Sequence, residues 1–302
     1  MVQDTLQTVA APRGATADLR DTSSEPGRAA PSYRTLLVVA DAADDASGRL
    51  RLAVSLADRF RAELIGVAAS QVEWPVFVSE YPQAVDQILR QEEERAAEDL
   101  SSARTLFERE AGERKGAAWF QAVAAPLSFV HKHGCEADLL VCGRRGPTDP
   151  NPGAMGVGPG DLVMAVGRPV LVVSPGIDQL GGKRIVIGWK DTREARRALA
   201  DALPFLARAE EVTIALVGRD ASRHDGELPQ AFLRRHDISA DIVVDNRVED
   251  FIAARLVEIA VEGAADLLIV GAYGHSRARE WAFGGVTRDL LDGSQICTLL
   301  SR

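Results

Sequence analysis

Ala137-Asp138-Leu139-Leu140-Val141-Cys142-Gly143-Arg144-Arg145-Gly146 and Ala265-Asp266-Leu267-Leu268-Ile269-Val270-Gly271-Ala272-Tyr273-Gly274 superimpose without a gap. Their offset of 128 also holds at Gly156 and Gly284, Asp161 and Asp289, Leu162 and Leu290, and Leu171 and Leu299. The chain therefore reads as one fold written twice, and each copy tests the reading of the other. Each copied segment is a short apolar run that ends in glycine, the pattern of a strand buried on both faces and followed by a tight loop.

Working outward, Thr35 to Ala40 forms a second apolar run, and a helix follows with Leu52, Leu56 and Phe60 four residues apart. Glu63 to Ala69 reads as a strand. Pro82 to Glu110 reads as an acidic helix whose Gln91-Glu92-Glu93-Glu94-Arg95 run faces solvent. Strand Ala118 to Val123, helix Pro126 to His133, strand Asp138 to Cys142 and strand Pro169 to Ser174 complete the first copy. The second copy repeats the order. It runs through strand Arg184 to Trp189, helix Arg193 to Ala207, strand Val212 to Val217, strand Asp241 to Val244, a helix with Ile252, Leu256, Ile259 and Ala260 on one stripe, strand Asp266 to Val270 and strand Thr298 to Leu300. Strands alternating with helices imply parallel strands joined by right-handed crossovers. Each copy is thus expected to be a doubly wound α/β unit.

Near their starts the copies align at an offset of 149, Arg34 with Lys183, so the first carries 149 − 128 = 21 extra residues before its fourth strand. They must lie in the stretch after Val67 that holds Trp74, Phe77 and Tyr81, as a longer crossover helix or as a lid. Residues 1–32 are rich in small and polar residues without apolar periodicity, and are expected to be a disordered tail. Residues 33–178 and 183–302 are the two expected domains.

Composition narrows the function. With a net charge of −9, the chain has no overall electrostatic reason to bind nucleic acid or an anionic membrane. Its start has neither a basic nor an apolar segment of the secretory kind, and no run suffices to span a bilayer. Cys135, Cys142 and Cys297 are odd in number and widely spaced, which favours buried reduced thiols over disulfides or zinc. The expected compartment is the cytoplasm.

Chemistry concentrates after the fourth strand of the second copy. Gly271-Ala272-Tyr273-Gly274 is followed by nine residues, then Gly284-Gly285-Val286-Thr287, then a helix starting at Arg288. Glycines there let backbone approach a ligand, and in open parallel sheets ligands sit beyond the carboxyl ends of the strands. Thr287 stands where a helix N-cap belongs, and free N–H groups plus the helix dipole would make an anion site suited to a nucleotide phosphate.

This G-x2-G-x9-G spacing, with a hydroxyl three residues on, resembles the nucleotide motif of the universal stress protein family. The resemblance covers residues 33–302 as two tandem copies and includes the closing strand Pro169-Val170-Leu171-Val172-Val173. It implies a Rossmann-like sheet of strand order 3-2-1-4-5 in each copy, adenine nucleotide binding in some members, and dimerisation through the last strand, here fused within one chain. ATP or another adenine nucleotide, with Mg2+ as its accompanying ion, is the expected cofactor. The two domains are expected to pair with each other, and a homodimer is a further option. The family supplies no catalytic residues.

The copies depart from the motif in different ways. The first keeps Gly143, Gly146 and Gly156, and Asp41 matches the family's acid after strand one. Yet Pro147, Pro150 and Pro152 stand in its loop, and Val157, Gly158 and Pro159 replace Gly285, Val286 and Thr287. Proline removes a donor, so this site reads as degenerate. In the second copy Gly285 holds the family's first Ser/Thr position and Lys190 aligns with the acid. Lys190 either meets phosphate as a point charge or pairs with Asp191 or Glu194. Gly188, Trp189, Lys190 and Val217, at the ends of this copy's first two strands, complete the candidate set with Gly271, Gly274, Gly284, Gly285, Val286 and Thr287. Trp189 either stacks on a base or closes the core, and His275 sits at the mouth of the loop. His131 and His133 lack a third metal ligand, and no P-loop, nucleophile-elbow or zinc-protease motif occurs. The expectation is a non-enzymatic nucleotide-binding regulator of the stress response; a ligand-free docking scaffold and a slow ATP hydrolase are the alternatives.

Overall fold

The computed structural model describes residues 30–43, 45–72, 82–144, 153–246, 251–274 and 285–302. The first half runs β1 (Thr35–Val39), α1 (Ala46–Phe60), β2 (Glu63–Ser70), α2 (Pro82–Ala111), β3 (Ala117–Val123), α3 (Pro126–Gly134), β4 (Leu139–Gly143), α4 (Pro159–Val166) and β5 (Val170–Val173). The second runs β6 (Arg184–Gly188), α5 (Arg193–Asp201), α6 (Leu203–Leu206), β7 (Glu211–Val217), a 3-10 turn (Arg223–Gly226), α7 (Glu227–Arg234), β8 (Asp241–Asp245), α8 (Ile252–Glu262), β9 (Leu267–Gly271), α9 (Val286–Gly293) and β10 (Cys297–Ser301).

Among the described residues these strands form one sheet in the order β3-β2-β1-β4-β5-β10-β9-β6-β7-β8, so each half has the order 3-2-1-4-5. Neighbours are parallel except β5 and β10, which are antiparallel with Leu171 opposite Leu299 and Val172 opposite Thr298. The continuous apolar runs have a direct cause. Alternate residues of β1 enter different cores, Leu36 and Val38 on one face of the sheet, Leu37 and Val39 on the other. A strand covered on both faces has no polar side to show in its sequence.

The repeated Ala-Asp-Leu-Leu also has a structural reason. Asp138 Oδ2 accepts from the backbone N–H groups of Arg34 (2.7 Å) and Thr35 (3.1 Å), and Asp266 Oδ2 accepts from that of Gly182 (2.7 Å). In each half this aspartate latches the start of the first strand to the start of the fourth. The halves also share an aromatic cluster in which Tyr33, Phe60 and Phe205 meet edge to face at 5.0–5.7 Å. The Tyr33 hydroxyl donates to the Asp201 carbonyl at 2.6 Å.

Three local expectations change, while the place of the extra residues agrees with the sequence. The helix read from Arg193 to Ala207 breaks at Ala202, because Pro204 has no N–H for the next helical bond. Helix α7, unread in the sequence, fills the β7–β8 crossover. The extra length of the first half lies between β2 and β3, residues 71–116 against 218–240, and includes the long helix α2. That helix buries Ala96, Leu100, Ala103 and Phe107 while its acidic run faces solvent. Finally, Pro31 to Tyr33 belong to the folded unit. Ser32 donates to the Phe60 carbonyl at 3.0 Å, Arg208 donates to that of Pro31 at 2.7 Å, and Tyr33 is buried. The tail before Ala30 and the trio Trp74, Phe77 and Tyr81 lie outside the described residues. Among those described, no helix is long and apolar enough to cross a membrane.

Candidate functional site

In the second half the carboxyl ends of β6, β7 and β9 lie side by side, with Gly188 opposite both Ala215 and Val270. This register brings Gly188, Trp189, Lys190, Val217, Gly271 and Gly274 to one edge of the sheet. Tyr273 follows β9 with φ 55°, the left-handed region that a non-glycine residue takes at a cost. Its N–H donates to the Thr287 hydroxyl at 3.2 Å, tying the strand end to the first turn of α9. Thr287 is therefore inside the helix rather than its N-cap. The cap is Gly285, extended at φ −82°, ψ 144°, whose carbonyl already accepts the first helical bond from Asp289. Gly285 brings no side chain, so α9 has no side-chain cap. Its first N–H groups are those an anion would meet. His275 and Gly284 lie outside the described residues.

Helix α5 comes close beneath this loop. A Cβ on Gly271 would lie 2.6 Å from the Glu194 carbonyl carbon and 2.8 Å from Ala195 Cα, so the glycine is required by helix packing. A Cβ on Gly274 would lie 3.3 Å from Glu194 Oε2. That carboxylate is buried. Burial opposes its charge, but hydrogen bonds from Arg193 (2.5 Å), from its own backbone and from Thr192 hold it below the usual carboxylate range. Asp191, the other carboxylate near Lys190, holds Arg196 in a two-pronged pair at 2.7 and 2.8 Å. Both acids suggested as partners for Lys190 bind arginines as well, and Lys190 has an interaction of its own. Trp189 is 7% exposed and packs in the core, with its indole N–H buried and without a partner among the described residues.

In the first half a buried arginine lies against the glycine that ends β4. Arg49, 3% exposed, donates to the Val39 carbonyl at 3.2 Å and to Asp41 at 2.7 Å. A Cβ on Gly143 would overlap its guanidinium. At the offset of 149 that aligns β1 with β6, Arg49 corresponds to Ala198. Met155 and Val157 are buried, and the Gln71 N–H donates to the Ala154 carbonyl at 2.9 Å, drawing this loop across the end of β2. At α4 the first residue is Pro159, which has no N–H to give, and the Asp161 carboxylate lies back over Gly158, 3.2 Å from where its Cβ would be. The Pro147, Pro150 and Pro152 loop lies outside the described residues.

Sequence reasoning missed Arg49, although a charged residue one turn before Leu52 on the apolar stripe of α1 was a visible signal. His133 binds Glu136 at 2.8 Å and stacks on Phe120 at 4.4 Å, and among the described residues no cluster could hold a metal. Cys142 and Cys297 are buried free thiols, whereas Cys135 is exposed.

No protein-family model matches this sequence, and no curated protein matches it. Solved structures do. A universal stress protein from Archaeoglobus fulgidus DSM 4304 matches 89% of this chain and 96% of its own with a TM-score of 0.66 at 14% identity. A functionally unknown protein from Pseudomonas aeruginosa PAO1 matches 89% and 92% with a TM-score of 0.52 at 13% identity. The chain has the universal stress protein fold through both halves.

Proposed function

We propose that this chain is a tandem universal stress protein that binds an adenine nucleotide in its second half and uses occupancy as a regulatory state in the stress response. One observation carries the reading: the corresponding helices α9 and α4 begin differently. Neither helix has a side-chain cap and each has an aspartate in its first turn, but α9 begins without proline, and Thr287 ties its first turn to Tyr273 at the end of β9, so its N–H groups and dipole would favour an anion beside Gly274. At α4 a proline removes a donor and the Asp161 carboxylate lies over Gly158. The nucleotide's phosphates would sit on Val286, Thr287 and Gly274, with Lys190 as a point charge. Arg49 and Asp41 make the first half a structural copy.

Glu194 favours a second reading, the ligand-free scaffold, because its charge lies against Gly274. Arg193 offsets that charge, which leaves the anion reading ahead. Mass spectrometry of small molecules released on denaturing the purified chain tests this. About one adenine nucleotide per chain supports it, and a chain that releases none and takes up none from millimolar ATP removes it.

A further inference from the structure

Among the described residues the sheet ends in two edge strands, β3 and β8, and they differ in length and charge. The seven residues of β3 (Ala-Ala-Trp-Phe-Gln-Ala-Val) include neither a charge nor a proline, whereas the five of β8 carry an aspartate at each end, Asp241 and Asp245. An edge strand without charge or proline is a template for pairing with another strand. The hydrogen bonds of β3 show which residues face outward. On its inner side the Gly116 carbonyl accepts from Leu64 at 2.9 Å, and the Ala124 N–H donates to the Ser70 carbonyl at 3.0 Å. In a parallel pair alternate residues turn both backbone groups to the same neighbour, so the even-numbered residues face β2 and Trp119, Gln121 and Val123 present N–H and C=O to the open edge. Among the described residues none of these outward groups has a partner, while the Ala117 N–H donates to Arg114 at 3.4 Å. The side chains of the three lie on one face. The Trp119 indole packs on Phe107 of α2 and donates to Gln121 Oε1 at 2.7 Å, and Val123, next in line, is 55% exposed.

We propose that β3 pairs antiparallel with β3 of a second copy of this chain, about a two-fold axis through Gln121. In that register Gln121 lies opposite Gln121 of the second copy and Trp119 opposite Val123, so every outward N–H and C=O of the three residues finds a partner. Sliding the strands by one pairing step would bring in Ala117, whose N–H is already bound. The same register sets the exposed valine beside a tryptophan, an aromatic and β-branched cross-strand pair. Charge favours a second copy at this edge. Two β3 strands meet without repulsion, whereas the equivalent pairing of β8 would set Asp241 against Asp245. The two copies of the fold within the chain are already joined in this manner, β5 to β10 antiparallel, and β3 is the opposite end of the first half. A two-fold contact of this kind closes on itself, giving a dimer with one β8 edge at each end.

Sedimentation equilibrium of the full chain over a concentration series tests this. A monomer–dimer equilibrium is expected at submillimolar protein. Val123→Lys, which puts a charge on the edge, and Gln121→Pro, which removes an outward N–H without touching the bonds to β2, should each weaken it at least tenfold. Val243→Lys on β8 should leave it unchanged. Circular dichroism and thermal melting establish that each variant keeps the parent fold, and Val123→Lys carries the test if the proline variant does not. The register is tested by Gln121→Cys in a Cys135→Ser background, since Cys135 is exposed. Facing Cα atoms in a hydrogen-bonded antiparallel pair are about 5.5 Å apart, within the roughly 4.4 to 6.8 Å that a disulfide spans. Mild oxidation should therefore link this variant into a covalent dimer and should not link Lys115→Cys in the same background. A chain that stays monomeric throughout, or a dimer that survives Val123→Lys or dissociates in Val243→Lys, would overturn the proposal. A dimer lost in Val123→Lys but never linked through Gln121→Cys would overturn the register.

Discussion

Replacing Asp41 by alanine should destabilise the chain through the charge it leaves behind. Arg49 is 3% exposed and its partner Asp41 18% exposed, with Nη2 to Oδ1 at 2.7 Å; Asp45 is more distant at 3.8 Å. Breaking a fully buried pair by removing one member costs about 3 to 5 kcal/mol. Here the partial exposure of Asp41 and the fallback partner Asp45 reduce that to about 2 to 3 kcal/mol. Arg49→Met removes the charge itself and fills the same volume, so the double variant should return to within about 1 kcal/mol of the parent. Urea unfolding of the four chains, followed by tryptophan fluorescence, measures the cycle. The β5–β10 pairing and shared aromatic cluster lead us to expect one transition, which the equality of fluorescence and circular-dichroism midpoints checks. A loss below about 0.5 kcal/mol for Asp41→Ala, or an equal loss in the Arg49→Met background, would refute the view of Arg49 as a buried charge held by Asp41.

Three further outcomes are expected. Phe205→Ala should cost about 3 to 5 kcal/mol by emptying the cluster between the halves, measured in the same urea assay; a loss below about 1 kcal/mol would mean the halves do not depend on it. Burial pushes the Cys297 thiol up to about 11, the Cys142 thiol up to about 12 and the Tyr33 hydroxyl well above its usual value. Each folded pKa is raised, so this stability is fully present below about pH 9 and falls as pH rises through 11 and 12. Melting temperatures should drop over that window, and less steeply in Cys142→Ala. Deleting residues 1–30 should change the melting temperature by about a degree or less, whereas deleting 1–33 should lower it by several degrees, because Tyr33 packs on Phe60 and Phe205.

Much of this fold was legible because both signals it needs are local. Apolar runs of five residues and four-spaced leucines mark elements wherever they occur, and the repeat let Leu267 to Val270 support Leu139 to Cys142. What escaped depends on contacts across the chain. Arg49 looks like an interruption of a stripe until Gly143 is seen to leave room for its guanidinium. Asp138 and Asp266 looked like repeat markers, and only the sheet order brings them to the start of β1 and β6. Helix α7 was missed because Pro229 and the exposed Leu228 blur a short stripe in which only Pro229 and Leu233 are buried. The Thr287 assignment was off by two residues, since the hydroxyl that would cap a helix instead accepts from Tyr273. Trp189 could have served either core or ligand, and only its burial decides.

Calorimetric titration with ATP on two variants tests the central claim most directly. The account predicts about one nucleotide bound per intact chain, abolished by Gly284→Asp, which adds a carboxylate to the phosphate loop, and kept by Gly156→Asp in the first half. Binding lost in Gly156→Asp and kept in Gly284→Asp, or no binding by the unmutated chain, would contradict it.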